Sequence, residues 1–105
     1  MINSLFDREY TAEYTCNEFA CEAWQVITSQ DLTKRLNDHL NGIGEFEEIK
    51  QPVSPCIAFF SVSNDLPTHV GIFYDGKILH LSPRGVQYIP LEFVMIGFKE
   101  VRFYK

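Results

Sequence analysis

Three residues could do chemistry together in this chain: Cys16, His69 and His80. A thiol becomes a nucleophile when a base takes its proton, and the base works best when a third group fixes its orientation. Both histidines belong to the run Thr68-His69-Val70-Gly71-Ile72-Phe73-Tyr74-Asp75-Gly76-Lys77-Ile78-Leu79-His80. Asp75-Gly76 is a two-residue turn signal between β-rich segments, so the run reads as a hairpin. Counting from that turn sets Tyr74 against Lys77, Phe73 against Ile78, Ile72 against Leu79 and Gly71 against His80. Opposed residues share a face and alternate residues return to it. His69, Gly71, Phe73, Ile78 and His80 therefore point one way, and Val70, Ile72, Tyr74, Leu79 and Leu81 point into a core on the other. His69 is the diagonal neighbour of His80, roughly 7–8 Å away at Cα, within reach of a ring-to-ring hydrogen bond. Gly71 leaves room for the His80 imidazole. Taken alone, the same pattern also fits two unrelated histidines on a half-buried sheet.

Cys16 supplies the missing partner. Thr15-Cys16-Asn17-Glu18 fits a capping box, with Thr15 as N-cap and Glu18 three residues on. Phe19, Ala20, Ala23, Trp24 and Ile27 then form one helical stripe. Cys16 falls at the first helical position, where free backbone N–H groups and the helix dipole favour a thiolate and can hold an oxyanion. A free cysteine is more often a small buried hydrophobe, but the polar neighbours Thr15 and Asn17 argue against that here. A Cys₂His₂ metal set of Cys16, Cys21, His69 and His80 is disfavoured: five residues along a helix rotate about 140°, so Cys21 points away from Cys16. Neither a metal nor a cofactor is expected. Three cysteines, an odd number, argue against a disulfide framework. Cys21 reads as helix packing and Cys56 as packing at the start of a strand.

Other elements must position these groups. Residues 1–13 read as a short helix or an arm. A second helix spans Asp31–Leu40, with Leu32, Leu36 and Leu40 on one stripe and Gly42 as its stop. His39 reads as solvent-facing or packed at an edge, and Trp24 as core. Gly42-Ile43-Gly44 is a loop, and Glu45, Glu47 and Glu48 form a solvated acidic cluster. Ile57–Val62 is a central strand, and Ser63–Pro67 a loop placed to line the cleft. Val86–Ile89 and Phe98–Tyr104 complete the sheet, with a turn of helix at Leu91–Ile96 after Pro90. The expected fold is α+β across residues 1–105 as one domain: N-terminal helices packed on an antiparallel sheet of about five strands. The cleft lies between the start of the Cys16 helix and the histidine face.

A chain of 105 residues, 46% hydrophobic with nine phenylalanines, can bury a modest core. Its net charge of −5 argues against nucleic acid binding and against electrostatic capture by an anionic wall or membrane. No segment approaches the roughly 20 apolar residues of a membrane span. The start, Met1-Ile2-Asn3-Ser4-Leu5-Phe6-Asp7-Arg8-Glu9, lacks the basic region and apolar run of a secretory signal, so synthesis and first folding in the cytoplasm are expected. There is no internal repeat, linker or room for a separate wall-binding module.

Three blocks in order resemble the NlpC/P60 family of papain-like thiol hydrolases. Tyr14-Thr15-Cys16-Asn17-Glu18-Phe19-Ala20 resembles its nucleophile helix. Ser54-Pro55-Cys56-Ile57-Ala58-Phe59-Phe60 resembles its Pro-Gly-Asp segment followed by apolar and aromatic residues. His69 to Tyr74 and Ile78 to His80, then Gly85-Val86 and Leu91, resemble its histidine hairpin. The resemblance implies a papain-like fold, Cys16 as nucleophile, His69 as base and His80 as the polar third member. It also implies Asn17, with Tyr10 or Tyr14, at the oxyanion side of the cleft. Two departures stand out: the usual Asp-Cys-Ser-Gly is Thr15-Cys16-Asn17-Glu18, and Cys56 replaces a frequent Asp. The likeness extends to short stand-alone members from tailed-phage tail genes, through Arg84 to Leu91 and Gly97 to Tyr104. It implies peptidoglycan stem peptides as substrate, often the bond between D-glutamate and a diamino acid. Phage tail-tip or hub proteins are the implied partners, and a virion tail the implied destination. The other class is a structural tail-tip assembly part of the same fold with an idle triad.

Overall fold

The helix bearing Cys16 begins where its cap directs. In the computed structural model, which describes residues 2–44, 46–63 and 68–105, α1 spans Cys16–Thr28. Thr15 is extended, with φ −98° and ψ −171°. Its Oγ1 accepts from the Asn17 N–H at 3.3 Å, and its own N–H donates to Glu18 Oε1 at 2.7 Å. The reciprocal capping box is complete. Ser29, in the left-handed region at φ 63°, ends the helix by donating its N–H to Gln25 O. The expected stripe is buried: Phe19, Ala20 and Ala23 are fully enclosed, Trp24 nearly so, and Ile27 partly. α2, Thr33–Leu40, follows with Leu36 buried. The earlier start expected at Asp31 is a turn whose carboxylate accepts the Thr33 N–H at 2.9 Å.

Six antiparallel strands follow: β1 Glu48–Ile49, β2 Cys56–Ser61, β3 His69–Tyr74, β4 Lys77–Ser82, β5 Gly85–Ile89 and β6 Glu100–Tyr104. The spatial order is β1-β6-β2-β3-β4-β5. A turn of helix after Pro90, α3 at Leu91–Val94, continues as a 3₁₀ turn over Met95–Gly97. Another 3₁₀ turn, Ile2–Leu5, lies within the N-terminal segment, and Leu5 is buried. The fold is α+β, as expected, with one strand more than the pattern suggested. The extra strand, β1, is two residues long and pairs with the end of β6. Its Glu48 is exposed and reads as polar surface in sequence. The expected acidic cluster includes Glu45, which lies outside the described residues, as do residues 64–67 of the expected Ser63–Pro67 loop.

The hairpin registers as counted: Ile72 with Leu79, Phe73 with Ile78 and Tyr74 with Lys77. Asp75 and Gly76 take φ of 51° and 85°, the paired positive values that match a tight turn to strand twist. β2 is central, between β3 and β6, and Cys56 through Phe60 are all buried. Alternation along these strands produces two cores. Ile57, Phe59, Val70, Ile72, Leu79 and Leu81 pack with Phe19, Ala20, Ala23, Trp24, Leu32 and Leu36. Cys56, Ala58, Phe60, Ile78 and Phe103 pack on the other face, under Val94 of α3, with Phe98 partly buried beside them.

This two-sided sheet sets how Cys16 approaches the histidines. The histidine side chains lie on the Phe60 and Phe98 face, while α1 packs on the face of Val70 and Ile72. Cys16 therefore reaches His69 at the end of the sheet, where β3 begins, and not across its face.

Candidate functional site

The site is built on the first two residues of β3 and the first turn of α1. Cys16, Asn17, Leu40, Phe59, Thr68, His69 and Val70 line a cavity of about 80 Å³. Within it, Sγ of Cys16 accepts from the backbone N–H of Val70 and lies near the N–H groups of Cys16 and Asn17. No hydrogen bond joins Sγ to His69 in this resting arrangement; the ring hydrogen bond of His69 runs to His80.

His69 is held from three sides. Its Nε2 is 2.7 Å from Nδ1 of His80, which leaves Nδ1 as the ring atom available to Cys16. Its ring stacks on Phe98, with centroids 5.5 Å apart and planes 9° from parallel. Phe60 stands at 5.9 Å on a tilted plane. His80 is 5% exposed, the sole buried polar residue among the described residues. It meets His69 edge-on at 4.9 Å between centroids. Gly71 makes this fit possible: a Cβ there would lie 3.1 Å from Cβ of His80, 3.0 Å from Cγ2 of Ile78 and 3.2 Å from the Leu79 carbonyl oxygen.

Burial sets the protonation states. Desolvation lowers the His69 pKa to about 4, with the neighbouring His80 adding to the effect. His80 is also lowered by burial, partly offset by the Gln87 side chain. The Cys16 thiol is pushed up by burial. The N–H of Val70 opposes that shift, Glu18 reinforces it, and the N–H groups of Cys16 and Asn17 pull weakly the other way. Desolvation thus outweighs the thiolate-favouring helix start expected from sequence, and thiol and imidazole are both neutral at pH 7.

The remaining sequence-derived candidates separate. Asn17 lines the cavity, with its N–H committed to the Thr15 cap. Neither tyrosine expected at the cleft lines this cavity. The Tyr14 hydroxyl is bound to Glu22 Oε1, in a cluster that also holds Arg8 through two hydrogen bonds of 3.0 and 2.7 Å. Tyr10 is exposed and faces a separate groove with Glu9, Thr11, Pro83, Arg84 and Gly85. Both precede the cap, and fifteen residues before Cys16 contain no periodic signal that fixes which way the chain turns. Cys21 lines a third groove with Glu18, Thr33 and Leu36. Among the described residues no three His, Cys, Asp or Glu side chains converge where a metal could be held. His39 is packed at an edge, stacked on Phe59 at 4.7 Å with Phe46 and Tyr104 around it.

Four lining residues are not site candidates from sequence: Leu40, Phe59, Thr68 and Val70. Leu40 reads as part of a helix stripe and Phe59 as strand core; both become walls of the cavity because the end of α2 meets β2 beside Cys16. No family model matches the chain, no curated protein is similar to it, and no solved structure matches its fold.

Proposed function

We propose that this protein is a cysteine hydrolase of amide bonds, with Cys16 as nucleophile, His69 as base and His80 as the group that orients His69. The observation that carries the reading is one arrangement: a helix-start thiol and a histidine share a small cavity, and that histidine is hydrogen-bonded through its far nitrogen to a buried second histidine. As sulfur bonds to the amide carbon, Nδ1 of His69 takes the thiol proton. The oxyanion meets the Cys16 N–H and the Asn17 side-chain amide. The C–N bond then breaks, the imidazolium gives its proton to the leaving amine, and an acyl thioester remains. Water attacks that carbon as His69 takes its proton, the C–S bond breaks to release the carboxylic acid, and the imidazolium returns a proton to sulfur to restore the thiol.

The substrate class rests on the resemblance to NlpC/P60 hydrolases alone, which makes peptidoglycan stem peptides the first to test. The setting proposed on the same ground is a phage tail tip, with tail-tip or hub proteins as partners. A structural role in such an assembly, with the triad idle, is the second reading; it is favoured by the absence of a hydrogen bond between Cys16 and His69. Digestion of purified peptidoglycan by wild type and by Cys16→Ala, read by mass spectrometry, separates them. Cysteine-dependent release of stem-peptide fragments establishes the hydrolase and its bond. Equal profiles from wild type and variant would leave the assembly role.

A further inference from the structure

The histidine pair ends on an unanswered atom. Nε2 of His80 is buried and has no hydrogen-bond partner among the described residues. The protonation of the whole site depends on that atom. Each neutral imidazole carries one proton on one of two nitrogens. If His80 carries it on Nε2, Nδ1 is a lone pair; it accepts from Nε2–H of His69, and the Nδ1 of His69 is left bare to receive the thiol proton. If His80 carries it on Nδ1, the pattern reverses and His69 presents Nδ1–H to Cys16, unable to act as base. A buried N–H without an acceptor is disfavoured because it loses its water partner and gains none, so the productive pattern needs an acceptor at Nε2 of His80.

Gln87 is placed to be that acceptor. It pairs directly with His80 across β4 and β5, so both side chains rise from the same face of the sheet. It is otherwise exposed. We propose that Gln87 is a positioning residue: its Oε1 closes onto the Nε2–H of His80, and the chain Gln87–His80–His69 fixes His69 with a bare Nδ1 toward Cys16. The amide already lies near enough to offset part of the burial effect on His80.

The inference rests on the hydrolase reading for its purpose, but its test does not. Nitrogen-15 NMR of imidazole-labelled protein reads which ring nitrogen of each histidine bears the proton. In wild type, at pH 7, His69 and His80 are both expected as Nε2–H tautomers. Gln87→Glu, which can only accept, keeps that pattern. Gln87→Met, similar in length and without an acceptor oxygen, moves the His80 proton to Nδ1 and with it the His69 proton to Nδ1. Nδ1–H on His80 in wild type, or tautomers unchanged in Gln87→Met, would overturn the proposal. Peptide release from peptidoglycan is the second readout. Gln87→Met should lose at least ~10-fold in rate, toward the ~10⁴-fold that a wrong tautomer costs a serine triad, and Gln87→Glu should recover most of it. Expected tautomers with no release by wild type would sink the hydrolase reading and leave the positioning chain standing. Release with tautomers indifferent to residue 87 would do the reverse.

Discussion

Replacing Gly71 with alanine places one methyl group between the two strands that carry the histidines. Gly71 is buried, and its φ is not in the left-handed region, so alanine meets no backbone strain there. The cost is contact. The new Cβ would stand 3.0 Å from Cγ2 of Ile78, 3.1 Å from Cβ of His80 and 3.2 Å from the Leu79 carbonyl oxygen. None of these atoms is the far end of a flexible side chain, so β3 and β4 must separate by a few tenths of an ångström. Overpacking of this kind costs about 1–3 kcal/mol. Alanine restricts the unfolded chain more than glycine and recovers roughly 0.4–1 kcal/mol. The net is a destabilisation of about 1–2 kcal/mol. For a domain near 100 residues, that is a fall in Tm of roughly 4–10 °C. Urea unfolding should show a lower midpoint with an unchanged slope, because the surface exposed on unfolding is the same. The His69 to His80 hydrogen bond should lengthen in step, visible as a change in the histidine ring nitrogen signals. A variant as stable as wild type, with those signals unmoved, would refute the close approach of β3 and β4 at this point.

Three further outcomes follow from the same geometry. Thr15→Ala removes the acceptor for the Asn17 N–H and should cost about 0.5–2 kcal/mol in denaturant unfolding; no measurable loss would mean the cap does not hold the Cys16 turn. His69 has its folded pKa lowered to about 4, against 6.5 for a solvent-exposed histidine. Its neutral burial is therefore free of penalty above pH 6.5, where both states are deprotonated. Below that the unfolded chain takes up a proton that the folded one refuses, so stability falls between pH 6.5 and 4, by about 3 kcal/mol. His39 and His80, also lowered by burial, act in the same direction. Urea midpoints measured across that range should show the slope, and His69→Gln should flatten it; an equally steep variant would assign the acid sensitivity elsewhere. Finally, alkylation of Cys16 by iodoacetamide, in a Cys21→Ala background, should still be accelerating at pH 9, because burial raises the thiol. A plateau below pH 8 would mean a stable thiolate that this geometry does not provide.

Much of the site was legible because short-range rules determine it. The hairpin register follows from Asp75-Gly76 and a period of two, and the start of α1 from Thr15 and Glu18, which need no knowledge of the rest of the chain. The closeness of His69 and His80 is a consequence of that register. What sequence could not supply was which face of the sheet α1 would cover. Both faces of β2 and β3 are apolar, through Ile57, Phe59 and Val70 on one side and Ala58, Phe60 and Phe73 on the other. Alternation therefore separates the faces without stating which one α1 covers. The same blindness applies to Tyr10 and Tyr14. Their placement depends on Arg8 and Glu22, an ion pair between segments fourteen residues apart. The β1 strand was missed because two residues at a sheet edge carry no periodicity to read.

The burial of Cys16 and His69 has a chemical consequence. A thiolate–imidazolium pair at rest would require the thiol pKa to lie below that of His69. Here burial raises the thiol and lowers His69 to about 4, so both shifts oppose the ion pair in the empty cavity. In the proposed hydrolase mechanism, proton transfer to His69 would coincide with sulfur–carbon bond formation, when the charge leaves sulfur for an oxygen that N–H groups can hold. His80 is neutral, so it steadies the new imidazolium with a dipole and not with the full charge that an aspartate would bring. A site of this kind gains little from a reactive thiol and much from the correct ring nitrogen being bare. The proposed mechanism would make its rate depend on the order of protons along His69, His80 and whatever meets Nε2 of His80, more than on the acidity of Cys16. Reactivity of the free thiol is for that reason a poor guide to whether this protein is an enzyme, and cleavage of an amide substrate is the measurement that decides it.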